Sequence, residues 1–197
     1  MKKAISFLSM FVLTIGIIAF VSCSQHQGNK EITTVLSKDS LIKRGSYLVN
    51  AVGCDDCHSP KKMGPNGPEV IQELRFSGFP QNGNTPKANI NEVQKGWLMF
   101  SSDLTSFIGP WGQSYAANIT SDETGIGNWS EAQFRKALRD GKSKGLDGAR
   151  PLLPPMPWPM YRNFSDDDIK AIYTFLQSTK PVDNVVPAPK SLEELSK

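Results

Sequence analysis

The chemically most informative stretch of the chain is the pentapeptide from Cys54 to His58. The 197 residues contain three cysteines and two histidines, and two of those cysteines and one of those histidines fall within these five positions. The spacing Cys-x-x-Cys-His is compatible with a zinc site, a thiol–disulfide centre or a site of covalent haem attachment. The rest of the chain discriminates among these three interpretations.

A zinc site and a redox dithiol both fit the sequence poorly. A structural zinc ion takes four ligands, and the expected folded domain offers only one histidine and two cysteines. A thioredoxin-type dithiol is expected after a strand in a βαβ unit, whereas a helical pattern leads into Cys54. A disulfide between Cys54 and Cys57 would close one small loop and would stabilise a domain of this size little.

Covalent haem attachment accounts for both cysteines and the histidine of the pentapeptide. Cys54 and Cys57 are expected to form thioethers with the two vinyl groups of one haem, because two intervening residues let both sulfurs reach the same porphyrin edge. His58 is then held beneath the ring, where its imidazole coordinates the iron. The predicted cofactor is one covalently bound haem c, with His58 as the first axial ligand.

A methionine is expected on the opposite face of the iron, because the second histidine, His26, lies in a polar stretch near the N-terminus. Met63 follows His58 closely, and about 17 Å of extended chain would barely pass around the ring to its far face. Met99 lies in the apolar run WLMF, which predicts a place in the core. The remaining methionines both belong to the segment LLPPMPWPMY, residues 152–161.

Prolines distinguish the two methionines of this segment. Pro155 and Pro157 flank Met156 and restrict its backbone, so that a stiff loop would hold the soft thioether sulfur at a fixed distance from iron. Met160 has one flanking proline and begins an aromatic-rich stretch, for which packing is the simpler explanation. Met156 is therefore the predicted second axial ligand, and a plain loop that binds no iron is the alternative.

Three amphipathic helices are expected to position these ligands. Residues 39–52 carry apolar side chains at helical spacing and lead directly into the pentapeptide, with Gly45 marking the close approach of another helix. Ser130 begins a capping box, S-x-x-Q, for a second helix that ends at Gly141. Ser165 and the three aspartates that follow it begin a third helix, which explains these acids better than a metal site does.

The other segments predict irregular structure. Residues 61–96 are rich in glycine, proline and asparagine and indicate an extended loop insertion, with a turn of helix around residues 69–74. Residues 107–120 predict turns and extended chain. The domain is expected to span residues 39–182, and residues 183–197 form a loose C-terminal tail.

The N-terminal residues resemble an export signal. Two lysines precede an uncharged apolar run that ends at Ser22-Cys23. A small residue before a cysteine at this place is typical of a bacterial lipoprotein signal, in which Cys23 becomes the lipidated first residue; a retained membrane helix is the alternative. We predict a lipoprotein-type signal peptide over residues 1–22, a flexible tether over residues 23–38, and an exported, membrane-anchored protein that faces the periplasm or the cell exterior.

Charge and composition exclude several classes of function. The formal net charge of +3 at pH 7 falls further when the two lysines of the signal are removed, so bulk electrostatics predict no nucleic-acid partner. A Ser-His-Asp site requires a free histidine, and His58 is expected on iron. The short glycine motifs GIG and GPNG do not match a phosphate-binding loop. We therefore predict no catalytic residue and no small-molecule substrate.

Four segments together resemble class I c-type cytochromes: KRGSYLVNAVGCDDCHSP, NITSDETGIGNWSEAQFRKALRDGK, LPPMPW and YRNFSDDDIKAIYTFLQSTKPVDN. The resemblance covers residues 41–186 and is strongest to monohaem cytochrome domains found singly, or in tandem within the cytochrome subunits of membrane-bound alcohol and sugar-acid dehydrogenases. It implies an all-α cytochrome c fold, with a few helices around the haem and long irregular loops. It also implies that the methionine of the proline loop, residues 153–157, is the sixth iron ligand; in this chain that methionine is Met156.

The resemblance has three further implications for named residues. The first and last helices should cross with Gly45 opposite Tyr173. The segment that contains Asn118 and Trp129 should lie over the haem edge, with these two residues near the propionates. Because this chain has one Cys-x-x-Cys-His motif, it should carry one haem, unlike the tandem members of the family.

His/Met ligation would fill both axial positions of the iron, which implies outer-sphere electron transfer. The predicted function is to carry single electrons between redox protein partners, a donor and an acceptor, either alone or as a subunit of a dehydrogenase or oxidase complex. Exposed lysines would border the haem edge and orient an acidic partner, or form an ordinary solvated face: Lys61, Lys62, Lys142 and Lys144. An enzyme or gas sensor with a labile Met156 is the alternative.

Overall fold

Seven α-helices and five short strands lie in residues 36–197, the part of the chain that the computed structural model describes. The helices are α1 (Lys38–Ala51), α2 (Cys54–His58), α3 (Ile90–Gln94), α4 (Glu131–Asp140), α5 (Trp158–Tyr161), α6 (Asp166–Leu176) and α7 (Leu192–Leu195). The strands are β1 (Lys61–Gly64), β2 (Gly67–Val70), β3 (Met99–Phe100), β4 (Ser106–Gly109) and β5 (Gly112–Tyr115). Turns of 3-10 helix occupy Gln72–Leu74 and Ser143–Gly145.

The predicted all-α fold class is wrong, because the described residues form a mixed structure of helices and two antiparallel sheets. β1 pairs with β2, and β3, β4 and β5 form a second sheet in that order. Both tight hairpins turn at the pattern G-P-x-G, residues 64–67 and 109–112, and the last glycine of each has a positive φ. Strands of two to four residues are too short to show the alternation that predicts a strand.

At the centre of the fold, α1 crosses α6. α1 is the first helix of the described residues, and α6 is the longest of the helices that follow it. A Cβ atom at Gly45 would lie 2.0 Å from the carbonyl oxygen of Ala171 and 2.7 Å from Cβ of Phe175. The predicted close approach at Gly45 is therefore confirmed. The predicted neighbour is wrong, since Gly45 faces Ala171 and Phe175, whereas the Tyr173 hydroxyl donates to the backbone carbonyl of Trp129 at 2.6 Å.

Serine side chains cap the three longest helices, and two of these caps, Ser130 and Ser165, are predicted from the sequence. Ser37 accepts from the Ser40 amide before α1, Ser130 accepts from the Gln133 amide before α4, and Ser165 begins α6 in the same way. Each bond satisfies an amide that the first turn of a helix leaves without a partner. The Gln133 side chain, however, donates to the Lys144 carbonyl, so the second half of the predicted capping box is replaced by a contact with the following loop.

The hydrophobic core lies where α1, α4 and α6 meet. Its buried members come from these helices and from two intervening loops: Leu48, Val49, Phe76, Ile126, Phe134, Leu138, Ile169, Ile172 and Leu176. Cys54 and Met156 are half-buried and pack against this cluster. The core thus contacts both the pentapeptide and the proline loop, which are about a hundred residues apart in sequence.

The C-terminal residues are packed, although the sequence predicts a loose end. The backbone of Lys190 exchanges two hydrogen bonds with Gln113 of β5, at 2.8 and 3.0 Å. The Asn184 side chain is buried and donates to the carbonyls of Ser77 and Phe79. These contacts could not be predicted from the sequence of the C-terminal residues, which is polar and has no periodicity. Each contact joins one residue of this segment to a residue far away in sequence.

The predicted signal peptide, the lipid-attachment residue Cys23 and most of the predicted tether lie outside the described residues. Within residues 36–197, no helix combines the length and the apolar character needed to cross a bilayer.

Candidate functional site

The pentapeptide forms its own short helix, α2, directly after α1. Gly53 separates the two helices in a left-handed conformation with φ of 73°, which a glycine adopts without strain. A single turn of helix therefore carries Cys54, Cys57 and His58. Both cysteines are half-buried and have free thiols, as two thioether attachment points require.

His58 is oriented by a hydrogen bond from its ring to a distant backbone carbonyl. Nδ1 lies 2.7 Å from the carbonyl oxygen of Ala117, so Nδ1 carries the proton and donates. Nε2 then has its lone pair free for a metal ion, the arrangement in which a histidine ligand is held in one tautomer and one orientation. Burial lowers the pKa of His58 against the opposing effect of the Ala117 bond, which favours the neutral, ligating form.

Residues 76–79 bring Ala117 to this position. Their backbone pairs with residues 116–119: Phe79 donates to the Ala116 carbonyl, and Ile119 donates to the Phe76 carbonyl. The Gly78 amide also donates to the His58 carbonyl at 2.7 Å. A side chain at Gly78 would overlap the carbonyl oxygens of Ala116 and Ala117. No sequence pattern pointed to Ala117, because a backbone acceptor leaves no trace in residue type.

Asp55, inside the pentapeptide, anchors α2 to the loop after β2. Its carboxylate accepts hydrogen bonds from Nε and Nη2 of Arg75, and from the Ser59 hydroxyl at 2.6 Å. Ser59 in turn accepts from the Phe76 amide. Burial raises the pKa of Asp55, but the bonds from Arg75 and Ser59 outweigh it, and the net pKa lies below the usual value.

Asp55→Asn is expected to reduce stability in a pH-dependent way. Because the folded-state pKa is lowered, the stabilisation is complete above the unfolded pKa of about 3.9 and is lost as the pH falls through the folded value. Near neutral pH we expect the variant to lose about 1–3 kcal/mol of unfolding free energy. Urea denaturation at a series of pH values measures this, and a constant difference down to acidic pH would contradict it.

Lys61 is not available to orient a partner, unlike the exposed Lys62 and Lys144. Its ammonium group donates to the carbonyl oxygens of Asp55, Asp56, Ser59 and Asp103, at 2.7 to 3.2 Å. These bonds satisfy carbonyls of α2 and of the residue after it, and they tie α2 to the loop before β4. Burial lowers the pKa of Lys61, although nearby carboxylates oppose it. The expectation that Lys61 is a solvated docking lysine is therefore wrong.

The four candidate methionines differ in how far they are exposed. Met156 is half-buried against the core cluster that Cys54 also contacts. Met160 is 70% exposed and Met63 is 72% exposed, as expected of side chains without a buried role. Met99 is half-buried in β3 and lines a cavity beside α2. Met156 and Cys54 thus share one packing environment.

A cavity of about 320 Å³ adjoins Cys57. We call it the Cys57 cavity. Apart from Cys57 and Pro155, its lining comes from the segment 98–111: Leu98, Met99, Phe100, Leu104, Phe107, Ile108 and Trp111. The lining is apolar, as the environment of a porphyrin ring is expected to be, and Cys57 is the one proposed haem-binding residue in it. The predicted core position of WLMF is wrong for Trp97, Leu98 and Phe100, which are exposed.

Asn118 and Trp129 lie in the segment that also provides Ala117. The Asn118 amide group donates to the Val182 carbonyl at 2.8 Å and to the Thr124 hydroxyl at 3.1 Å, and its oxygen accepts from the Thr120 amide. The indole of Trp129 is half-buried and packs against the core cluster. The contacts of Asn118 support a role in holding the 117–120 backbone in place.

Burial disfavours the charged form of both cysteines. Burial and the neighbouring Asp55 carboxylate raise the pKa of Cys54 to about 12. Burial also raises the pKa of Cys57. Among the side chains described by the structure, no three His, Cys, Asp or Glu residues cluster in a way that could hold a metal ion.

Comparison with known proteins identifies relatives along most of the chain, although no protein-family model matches it. The gluconate 2-dehydrogenase cytochrome c subunit of Pantoea cypripedii is 32% identical over 191 residues, 93% of this chain. The cytochrome c subunit of alcohol dehydrogenase (quinone) from Gluconobacter oxydans is 34% identical over 146 residues, 73% of this chain. The fructose dehydrogenase cytochrome subunit of Gluconobacter japonicus is 33% identical over 152 residues, 76% of this chain.

The relatives are much longer than the chain. The matched region is 33% of the Pantoea protein and 23% of each Gluconobacter protein. All three are named as cytochrome subunits of dehydrogenases, in agreement with the resemblance that the motifs show. The chain is therefore a relative of the cytochrome c subunits of bacterial dehydrogenases, and the prediction of that resemblance is confirmed.

Proposed function

We propose that this chain is a monohaem c-type cytochrome that carries single electrons between protein partners. Cys54 and Cys57 hold one haem c through thioether bonds, and His58 and Met156 are the axial ligands of its iron. The observation that carries the proposal is the geometry of α2, where both free thiols share one helical turn with a histidine whose Nδ1 donates to the Ala117 carbonyl. The Cys57 cavity supports it with an apolar chamber at the attachment site.

Each residue has a distinct task in this proposal. The bound haem supplies a ferric/ferrous couple, and a thioether ligand favours the reduced form. The Ala117 carbonyl keeps the imidazole in the ligating tautomer. Met156, on a loop stiffened by prolines, fills the second axial position and leaves no site for a substrate. Trp129 and Asn118 lie near the haem propionates, and the hydrogen bonds of Asn118 also support the backbone beside Ala117.

The names of the relatives support a role in a larger complex. They are subunits of dehydrogenases for gluconate, alcohol and fructose. We propose that this chain likewise receives electrons from a dehydrogenase or delivers them to an oxidase, and that it is not itself catalytic. The single Cys-x-x-Cys-His motif in the sequence supports one haem.

We propose an anchored location for the domain. The apolar run before Cys23 supports a lipoprotein-type signal over residues 1–22, with Cys23 as the lipidated residue and residues 24–38 as a tether. The domain would then face the periplasm or the cell exterior, where thioether-linked haem and redox partners meet. The polar composition of residues 24–38 supports a spacer between membrane and domain.

Met156→Ala tests the ligand assignment. The variant is expected to lose the weak far-red absorption band that a thioether ligand gives to ferric haem, and its ferrous form should bind carbon monoxide where the parent protein does not. The reason is that alanine leaves one axial position of the iron without a protein ligand. Absorption spectra of the exported, haem-loaded variants measure both effects.

Met160→Ala and Met99→Ala are matched controls for this experiment. Both remove a thioether from the same part of the protein, and both should keep the far-red band. Loss of the band in either control, with its retention in Met156→Ala, would move the ligand to that methionine. Carbon monoxide binding by the unmodified ferrous protein would contradict the six-coordinate carrier and favour an enzyme or gas sensor.

A further inference from the structure

The proline loop has few hydrogen bonds to the rest of the protein. Prolines at 154, 155 and 157 have no amide hydrogen, so this stretch cannot be fixed by donating backbone bonds as other loops are. Before it, the Leu152 amide donates to the Gly141 carbonyl at 2.6 Å. After it, the Tyr161 hydroxyl donates to the Val52 carbonyl at 3.1 Å. Residues 153–156 lie between these two attachments.

Ser114 provides the connection between this stretch and the sheet. Its hydroxyl, on β5, donates to the Pro154 carbonyl oxygen at 2.7 Å. Among the described residues, this is the one hydrogen bond that joins residues 153–156 to another element. Ser114 is 6% exposed, so solvent competes little at the serine side of the bond. The bond ends two residues before Met156.

Trp111 orients the Ser114 hydroxyl. The indole Nε1 donates to Oγ of Ser114 at 3.2 Å, so the oxygen accepts from Trp111 and its proton points to Pro154. The indole lies against the backbone of Gly109, where a Cβ atom would be 2.4 Å from the ring. Trp111 is thus held over the β4–β5 turn. Its ring lines the Cys57 cavity together with Pro155.

We infer that Ser114 is a positioning residue for the sulfur of Met156, with Trp111 as its support. This inference rests on the proposed ligation of iron by Met156. A neutral thioether is a weak axial ligand whose occupancy depends on how firmly its loop is held. The Trp111–Ser114–Pro154 connection fixes the loop from the side of the Cys57 cavity. Without it, no hydrogen bond within residues 36–197 joins residues 153–156 to another element and only packing holds them in place, so the sulfur leaves the iron more readily.

Ser114→Ala is expected to retain covalent haem but to weaken axial ligation by methionine. We expect imidazole to displace Met156 from the ferric protein at a concentration about two- to tenfold lower than in the parent protein, the range set by the loss of one hydrogen bond. The far-red band should decrease at lower imidazole concentration in parallel. Ser114→Thr keeps the hydroxyl and should restore the parent titration.

Thr179→Val is the matched control. Thr179 is half-buried just after α6, and its hydroxyl donates to the Leu176 carbonyl at 2.6 Å, so the variant loses one hydrogen bond away from the proline loop and from residues 76–79. Its imidazole titration should equal that of the parent protein. The inference is overturned if Ser114→Ala titrates like the parent, or if Thr179→Val shifts as much as Ser114→Ala does.

The Met156→Ala spectrum distinguishes a wrong ligand assignment from a wrong role for Ser114. If Met156→Ala keeps the far-red band, the ligand assignment is wrong and the role of Ser114 falls with it. If Met156→Ala loses the band while Ser114→Ala behaves as the parent, the ligand assignment stands and only the positioning role is wrong.

Discussion

His58→Ala is expected to convert the protein from a closed electron carrier into one that binds external ligands. Alanine offers no lone pair, so the iron keeps at most one protein ligand and one axial position opens. We expect the ferric spectrum to change from low spin to high spin, and the ferrous form to bind carbon monoxide stoichiometrically. The Ala117 carbonyl also loses its donor, which should lower the unfolding free energy by about 1–3 kcal/mol.

The second histidine supplies the control for this variant. His26→Ala removes the other imidazole in the sequence and should leave the spectra unchanged. Added imidazole should restore the low-spin spectrum of His58→Ala, because it replaces the missing ligand without repairing the chain. An unchanged low-spin spectrum in His58→Ala would show that His58 does not bind the iron.

Gly45→Ala is expected to destabilise the fold although alanine is the better helix former. Helix propensity alone would stabilise the variant by about 1 kcal/mol. The added methyl group, however, would overlap the Ala171 carbonyl oxygen, since a Cβ atom there lies 2.0 Å from it. Moving α1 away from α6 would disturb the core at its centre, and we expect a net loss of about 1–3 kcal/mol.

Urea denaturation of the haem-loaded protein, followed by far-UV circular dichroism, measures this loss. Lys43→Ala is the matched control, because it makes an alanine at an exposed position of the same helix. Its unfolding free energy should stay within about 0.5 kcal/mol of the parent value. If Gly45→Ala proves as stable as the parent, the close crossing of α1 and α6 is wrong.

The helices were predictable because their signals are local. Apolar positions at helical spacing located α1, and serine caps together with such positions located α4 and α6. Gly45 could also be identified as a contact point, since a glycine inside a helix costs stability unless it serves packing. Its partner could not, because which residue of α6 faces it depends on the crossing geometry.

The strands were missed because they depend on turns more than on alternation. β1 and β2 lie in a segment that looked like a loop insertion, and both hairpins turn at G-P-x-G. The repeated turn pattern was the available signal. The WLMF run shows a different limit: apolar residues predict burial, but three of these four side chains, Trp97, Leu98 and Phe100, are exposed.

In the site too, local features could be predicted from the sequence and long-range contacts could not. Cys54, Cys57 and His58 could be proposed as haem-binding residues from residue type and spacing, because that chemistry requires those side chains at those intervals. The contacts that hold His58 and the proline loop in place could not be predicted. Ala117 acts through a backbone carbonyl, and Ser114 contacts the proline loop from forty residues away in sequence. Both contacts depend on the folded structure, which brings residues that are distant in sequence together.

The mass of the exported chain under denaturing conditions tests the central claim most directly. The mature protein should be heavier than its polypeptide by one haem, since thioether bonds survive unfolding. The Cys54→Ala/Cys57→Ala variant should have the mass of the polypeptide alone. A parent protein with no added haem mass, from a host that attaches haem to a known c-type cytochrome, would contradict the account.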